Sequence, residues 1–215
     1  MKNLLIKEMK LTASPCTYLF LLFTLMTFIP GYPITLGAFF VCYGIFFTYQ
    51  SARECQDITY TVMLPVEKSQ VVKAKFLFVV LIQMLAFLMF VLFTLVRMFL
   101  LKGSLVYITN QLVNANFAFL GYVLIIFTTF NICFLCTYFK TAYKFGVPFL
   151  IFSVISFILV IVFEVLHFIP SLTSLNDVNF KTAQLIPFAV GVVVYAVGTF
   201  VSLKISIKRF EKVDL

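Results

Sequence analysis

Long apolar runs separated by short polar segments are the main feature of the chain. No charged residue lies between Lys10 and Arg53, and Pro30-Gly31-Tyr32-Pro33 interrupts this run near its middle. A membrane-spanning helix needs about 20 mainly apolar residues, and proline–glycine pairs mark turns, so this run predicts a hairpin of two spans. Four more apolar runs follow a polar segment. The whole pattern predicts six spans, at roughly 15–29, 34–49, 76–101, 115–138, 147–168 and 186–205.

Composition supports the same class of protein. The chain has 215 residues, of which 63% are hydrophobic and 11% are charged. About a quarter of the residues are charged in ordinary soluble domains. We therefore predict an all-α integral membrane protein with one transmembrane domain over residues 1–215. The net charge of +8 is explained by basic residues beside the spans, so we predict the lipid bilayer as a partner and no nucleic acid.

The basic residues also predict an orientation. All of the 16 Lys and Arg residues except Arg97, Lys102 and Lys181 fall on the side of the N terminus. Because Lys and Arg accumulate in cytoplasmic loops, both termini are predicted to be cytoplasmic. Before the first span, a short amphipathic helix is predicted in the membrane surface, with lysines towards water and an apolar side formed by Leu4, Leu5, Met9 and Leu11.

Residues 50–75 form the longest markedly polar segment and separate the second span from the third. A helix is predicted from about Ala52 to Met63, with Ile58 and Val62 on one face. Pro65 ends it, because the residue before a proline is pushed out of the helical region. A second helix begins after Val66, with Glu67 in its first turn, and meets no breaker before Gly103. It should therefore run without interruption from this segment into the third span.

Three pieces of this segment carry a resemblance to a known family. They are Glu54-x-x-Asp57-x-x-Tyr60, Met63-Leu64-Pro65-Val66-Glu67-Lys68 and Val71-Val72-Lys73-Ala74-Lys75. Together with the six-span layout they resemble the permease subunits of type-2 ABC exporters, the small six-span family of bacterial drug, bacteriocin and peptide exporters.

The resemblance implies a function and a set of partners. Two permease copies, or one copy and a sister permease, would form a pathway in the bacterial cell membrane for hydrophobic or amphipathic peptides or drugs. Each copy would dock a cytosolic ABC ATPase, and family members often confer resistance to antimicrobial peptides. Residues 50–75 would be the cytoplasmic coupling segment, and its ATPase-coupling residues would be Glu54, Asp57, Ile58, Tyr60, Val62, Leu64 and Pro65.

The chain itself carries no sign of an enzyme. None of its eight glycines belongs to a Gly-x-x-x-x-Gly-Lys loop, the backbone cradle that holds nucleotide phosphates. We therefore predict no cofactor in this chain, with ATP and Mg bound by the partner ATPase. Two other classes stay open. A six-span substrate-binding subunit of a vitamin importer has no need of the long charged segment, and a membrane enzyme would need more polar groups at membrane depth than Glu164 and His167.

Three further features concern the predicted spans. Arg97 and Glu164 lie at similar depth, about 7 Å inside the outer boundary at 1.5 Å per helical residue, which predicts an intramembrane charge pair. The pair would be either a structural bridge or a polar lip on a substrate path. Glu164-x-x-His167 has metal-ligand spacing, but no second carboxylate-rich helix accompanies it, so no metal is predicted. Gly191 and Gly198, two turns apart, predict close helix packing.

Overall fold

The structure is a computed structural model, and it describes residues 2–63, 65–101, 103–108, 112–141, 144–166, 168–177 and 180–213. Helices account for 83% of these residues, and no strand occurs among them. The predicted all-helical class is therefore confirmed. Leu64 and His167, two residues of the predicted sites, lie outside the described residues.

The α-helices within the described residues are α1 Lys2–Lys7, α2 Pro15–Leu19, α3 Leu36–Glu54, α4 Asp57–Val62, α5 Lys68–Phe99, α6 Leu105–Ile108, α7 Phe117–Phe130, α8 Cys136–Thr141, α9 Gly146–Leu166 and α10 Leu185–Phe210. Wider π-helical turns extend two of them, Glu8–Thr12 after α1 and Asn131–Leu135 between α7 and α8. Tighter 3₁₀ turns occupy Phe20–Phe28, Pro170–Asn176 and Thr182–Gln184.

Four helical stretches in the described residues are long and apolar enough to cross a membrane: Lys68–Phe99, Phe117–Thr141, Gly146–Leu166 and Thr182–Phe210. A fifth is added if the bent pair Asn3–Thr12 and Pro15–Phe28 counts as one span. Helix α3 is not among them, because its last turns carry Gln50, Arg53 and Glu54. The protein is thus a multi-pass membrane protein with four or five candidate spans, where the sequence pattern predicts six.

The N-terminal helix consists of α1 and the π-helical turn that follows it. Its axis makes an angle of 88° with the next helical stretch, Pro15–Phe28. Its buried positions are Leu4, Glu8 and Thr12, whereas Leu11 is exposed. Leu4 and Leu11 therefore do not share one side of this helix, in contrast to the prediction. Glu8 has ionic partners inside the protein, and it turns its own face of the helix inward, which leaves Leu11 outside.

Within residues 50–75 the helix is interrupted at Cys55 and Gln56, where a continuous helix was predicted. Helix α3 ends at Glu54, and Gln56 takes left-handed backbone angles, with φ 50° and ψ 33°. The predicted helix from Ala52 to Met63 is therefore wrong at Cys55 and Gln56, although Asp57–Val62 within it is helical. Helix α4 packs against α3 and α5, and its Ile58 belongs to the core. The second prediction is confirmed, since α5 runs unbroken from Lys68 to Phe99.

The closest helix packing joins α7 to α10. A Cβ atom added to Gly121 would lie 2.2 Å from the carbonyl oxygen of Pro187, and one added to Gly191 would lie 2.5 Å from the carbonyl oxygen of Gly121. At Gly198 an added Cβ would lie 2.4 Å from the Thr128 methyl carbon. The two helices therefore touch backbone to backbone, as the spacing of Gly191 and Gly198 predicts, and Gly121 is the partner on the facing helix.

Aromatic side chains fill the space between α3, α7 and α9. The rings of Phe46 and Phe149 lie 4.2 Å apart between centroids, and those of Tyr122 and Phe163 also lie 4.2 Å apart in a stacked arrangement. Such pairs add attraction beyond the burial of their apolar area. They pack α9 against the rest of the bundle.

Candidate functional site

Four charged side chains meet at the end of the bundle that carries the N terminus. They are Lys7 and Glu8 from the N-terminal helix, Asp57 from the first position of α4, and Lys75 from the third turn of α5. We call this group the charge quartet. Glu8 and Lys75 are each only 2% exposed. Burying charges is costly unless they are paired, and the quartet meets this requirement with two cations and two anions.

Each lysine of the quartet contacts both carboxylates. The Lys75 ammonium donates to Glu8 Oε2 at 2.9 Å and to Asp57 Oδ2 at 2.6 Å. The Lys7 ammonium lies 3.1 Å from Glu8 Oε1 and 2.5 Å from Asp57 Oδ1. Lys7 also donates to the Thr61 hydroxyl at 2.6 Å. The quartet is therefore a closed ring that ties three separate segments of the chain together.

The electrostatics keep Asp57 ionised. Burial raises the pKa of its carboxyl group, but the ammonium groups of Lys75 and Lys7 outweigh burial and hold the pKa below its usual value. Both lysines lower this pKa through their positive charge and through their hydrogen bonds to the carboxylate. Asp57 therefore satisfies its charge within this chain.

The predicted ATPase-coupling residues divide into an inner and an outer set. Ile58 is only 3% exposed and Val62 packs against the core, so these two face inward. Glu54 and Pro65 are exposed, and Tyr60 is 65% exposed. Met63, which was not among the predicted coupling residues, is 75% exposed. Among the described residues of this segment, Tyr60 and Met63 thus form the exposed apolar surface, whereas the predicted apolar face of Ile58 and Val62 belongs to the core.

A groove of about 460 Å³ opens beside the quartet, between the N-terminal helix and α4. Its lining includes Leu11, Ser51, Cys55 and Tyr60, with Asp57 at its polar part. The groove therefore continues the exposed surface of Tyr60 towards the N-terminal helix.

At the opposite end of α5, Arg97 is buried and binds two neighbouring segments of the chain. Its guanidinium donates to the carbonyl oxygen of Thr27 at 2.7 Å and to Asn114 Oδ1 at 3.1 Å. It also lies over the ring of Tyr107, 4.2 Å from the centroid. Helix α5 is therefore anchored near both ends, by the quartet and by Arg97.

Arg97 and Glu164 do not form the direct pair that the sequence predicts. Among the described residues no ion pair joins them, and Glu164 Oε2 accepts a hydrogen bond from the Val113 amide at 2.9 Å. Arg97 holds the next residue, Asn114. Equal depth along two helices does not fix which sides of the helices face each other. The connecting loop comes between the two charges, and both of them bind it.

A buried polar layer escaped the sequence analysis. Gln83 and Asn131 exchange two hydrogen bonds, of 2.9 and 3.1 Å, between α5 and the π-helical turn after α7. Tyr195 donates to Gln83 at 2.9 Å, and Asn131 donates to Thr199 at 3.0 Å. Gln83 and Asn131 stand alone in apolar runs, which is the signal that marks them in the sequence. Their complementary amides fix the register of α5, α7 and α10.

Within the described residues, no group of three or more His, Cys, Asp or Glu side chains could hold a metal ion. The fold and the quartet define a multi-pass, all-helical membrane protein with a structured polar segment at one end of its bundle. The sequence model of a family described as "ABC-2 family transporter protein" matches residues 3–211. The chain belongs to this family of ABC transporter permeases. Searches of curated proteins and of solved structures each gave no match.

Proposed function

We propose that this chain is the permease subunit of an ATP-driven ABC exporter, powered by a cytosolic ATPase that is a separate chain. Family membership over residues 3–211 supports the permease role. The observation that carries the proposal is the polar segment after α3, which presents Tyr60 and Met63 outward while its Asp57 is paired with Lys75 inside the protein. ATP and Mg would be held by the partner, because the sequence has no phosphate-binding loop.

The proposed orientation places the charge quartet in the cytoplasm and Arg97 near the outer surface of a bacterial cell membrane. It follows from the distribution of Lys and Arg residues. A six-span topology needs α2 and α3 to cross as a hairpin. Residues 15–28 are short, but their 3₁₀ turns rise about 2 Å per residue, so they extend about 25 Å and approach the hydrocarbon thickness.

The proposed assembly contains a second permease, either another copy of this chain or a sister chain. The proposed cargo is a hydrophobic or amphipathic peptide or drug. Helices α9 and α10 expose large apolar side chains, among them Leu150, Phe157, Val193 and Phe200. These side chains support an apolar environment around the two helices, formed by lipid, the second permease or cargo. Resistance to antimicrobial peptides would be one physiological outcome.

The proposed docking surface for the ATPase consists of Glu54, Tyr60 and Met63. Exposed aromatic and methionine side chains are enriched where proteins bind each other, and a nearby carboxylate guides approach to basic groups. Asp57 and Ile58 do not belong to this surface, because one is bound within the quartet and the other is buried.

The test is affinity purification of the tagged chain from its own membranes, followed by detection of a bound ABC ATPase and of its ATP hydrolysis. Tyr60→Glu with Met63→Glu should leave the amount of folded permease unchanged and abolish recovery of the ATPase. Tyr60→Phe with Met63→Leu is the matched control, because it keeps the surface apolar and should retain the ATPase. Normal ATPase recovery with the double glutamate variant would refute this docking surface.

A further inference from the structure

The charge quartet connects the proposed docking segment to a helix that runs the length of the bundle. We propose that the contact between Asp57 and Lys75 transmits the motion of α4 into α5, so that Asp57 is a positioning residue facing its own chain. This inference rests on the proposed ATPase-driven function and names the internal link that the function needs.

Helix α4 depends on outside contacts for its position. It has six residues, and isolated helices of that length are not stable in water. Before it stands the left-handed Gln56, and after it the chain reaches Pro65. Its main attachments are the buried Ile58, the Thr61 hydroxyl bonded to Lys7, and Asp57, which binds Lys75 of α5 as well as Lys7 and Thr12 of the N-terminal segment. Of these three, only the contact of Asp57 is an ionic bond to α5.

Helix α5 connects the charge quartet to the opposite end of the bundle. Lys75 and Arg97 lie on the same unbroken helix, 22 residues apart, which corresponds to about 33 Å at 1.5 Å per residue. Arg97 grips the Thr27 carbonyl and Asn114 at the far end. A rigid-body movement of α5 that displaces Lys75 therefore also changes the contacts of Arg97.

The ring arrangement of the quartet allows two variants that keep the charges balanced. Lys7→Met with Asp57→Asn leaves the pair of Lys75 and Glu8 at 2.9 Å, but cuts the ionic link from α4 to α5. Lys7→Met with Glu8→Gln leaves the pair of Lys75 and Asp57 at 2.6 Å and keeps that link. Both variants lose one lysine and one carboxylate, so each is the matched control of the other.

The experiment uses the complex of the permease with its ATPase in lipid nanodiscs and a non-hydrolysable ATP analogue as the probe. Two thiols report on the two ends of the link, the native exposed Cys55 beside α4 and a Leu100→Cys substitution just beyond α5, where the side chain is also exposed. The other four cysteines are replaced. The rate of maleimide labelling is measured at each thiol with and without the analogue.

With the quartet intact, the analogue should change both labelling rates with the same midpoint concentration. The Asp57→Asn double variant should keep the change at Cys55 and lose the change at residue 100, whereas the Glu8→Gln double variant should keep both. A change at residue 100 that survives in the Asp57→Asn variant overturns the proposed link. If that variant does not fold, different midpoints at the two thiols in the protein with the intact quartet overturn it. Absence of any change at Cys55 in that protein instead contradicts the ATPase docking on which the inference rests.

Discussion

Adding one methyl group at the contact between α7 and α10 should destabilise the protein measurably. Gly121→Ala would place a Cβ atom 2.2 Å from the Pro187 carbonyl oxygen, and Gly191→Ala would place one 2.5 Å from the Gly121 carbonyl oxygen. Real Cβ atoms are not found that close to another heavy atom. Because the obstructing atoms belong to backbone, no side-chain rotation relieves the clash, and the helices must separate.

The expected size of the effect follows from two opposing terms. Overpacking in a well-packed interior costs typically about 1–3 kcal/mol, and a backbone contact falls at the upper end of that range. Replacing glycine by alanine inside a helix returns about 1 kcal/mol through helix propensity. The net destabilisation is about 2 kcal/mol for either variant. For a chain of this size, that corresponds to a melting temperature lower by about 4–8 °C.

Thermal unfolding of the purified protein in detergent or nanodiscs measures this difference. Gly146→Ala is the matched control, because nothing lies within 4 Å of a Cβ at that position, and it should melt with the unmodified protein or slightly above it. Gly198→Ala should fall between the two, since its obstacle is the methyl group of Thr128 and side chains move more easily than backbone. Equal melting temperatures for Gly121→Ala and Gly146→Ala would refute the close packing.

Three other predictions follow from the charged groups and from the topology. Burial raises the pKa of Asp57, but two lysines outweigh burial and lower it. The carboxylate therefore stabilises the fold at neutral pH, and this contribution is lost as the pH falls below about 4. Asp57→Asn should lower the melting temperature at pH 7 and make the melting temperature decline less on acidification. Arg97→Lys should cost about 1.5–3 kcal/mol in thermal unfolding, because one ammonium cannot reproduce two guanidinium hydrogen bonds and the stacking on Tyr107, and an unchanged melting temperature would contradict these contacts. A membrane-impermeant maleimide should label Cys55 only after cells are permeabilised, and labelling in intact cells would reverse the proposed orientation.

The candidate site shows where sequence patterns stop being informative. Glu54, Asp57 and Tyr60 were picked out as one motif, yet the structure gives them different surroundings: Asp57 lies in a closed ionic ring, while Tyr60 is exposed. Ile58 and Val62 share a helix face, as their spacing predicts, but periodicity cannot say whether that face meets the core or a partner. The helix break is made by Gln56 in the left-handed conformation, and no glycine or proline at this position indicates it in the sequence.

The sequence by itself determined the helical membrane class, the continuity of α5 through Lys75 and Phe76, and the position of the polar segment between apolar runs. These properties depend on neighbouring residues along one helix or on the solvation of a whole run, so they can be read locally. Only the tertiary structure decided that Lys7, Glu8, Asp57 and Lys75 form one ring and that Gly121 faces Gly191. It also decided that Arg97 binds the loop residue Asn114, whereas the sequence predicted Glu164 as its partner. Those contacts join segments far apart in the chain, and the rotation of each helix about its own axis, which selects them, is set by packing across the whole bundle.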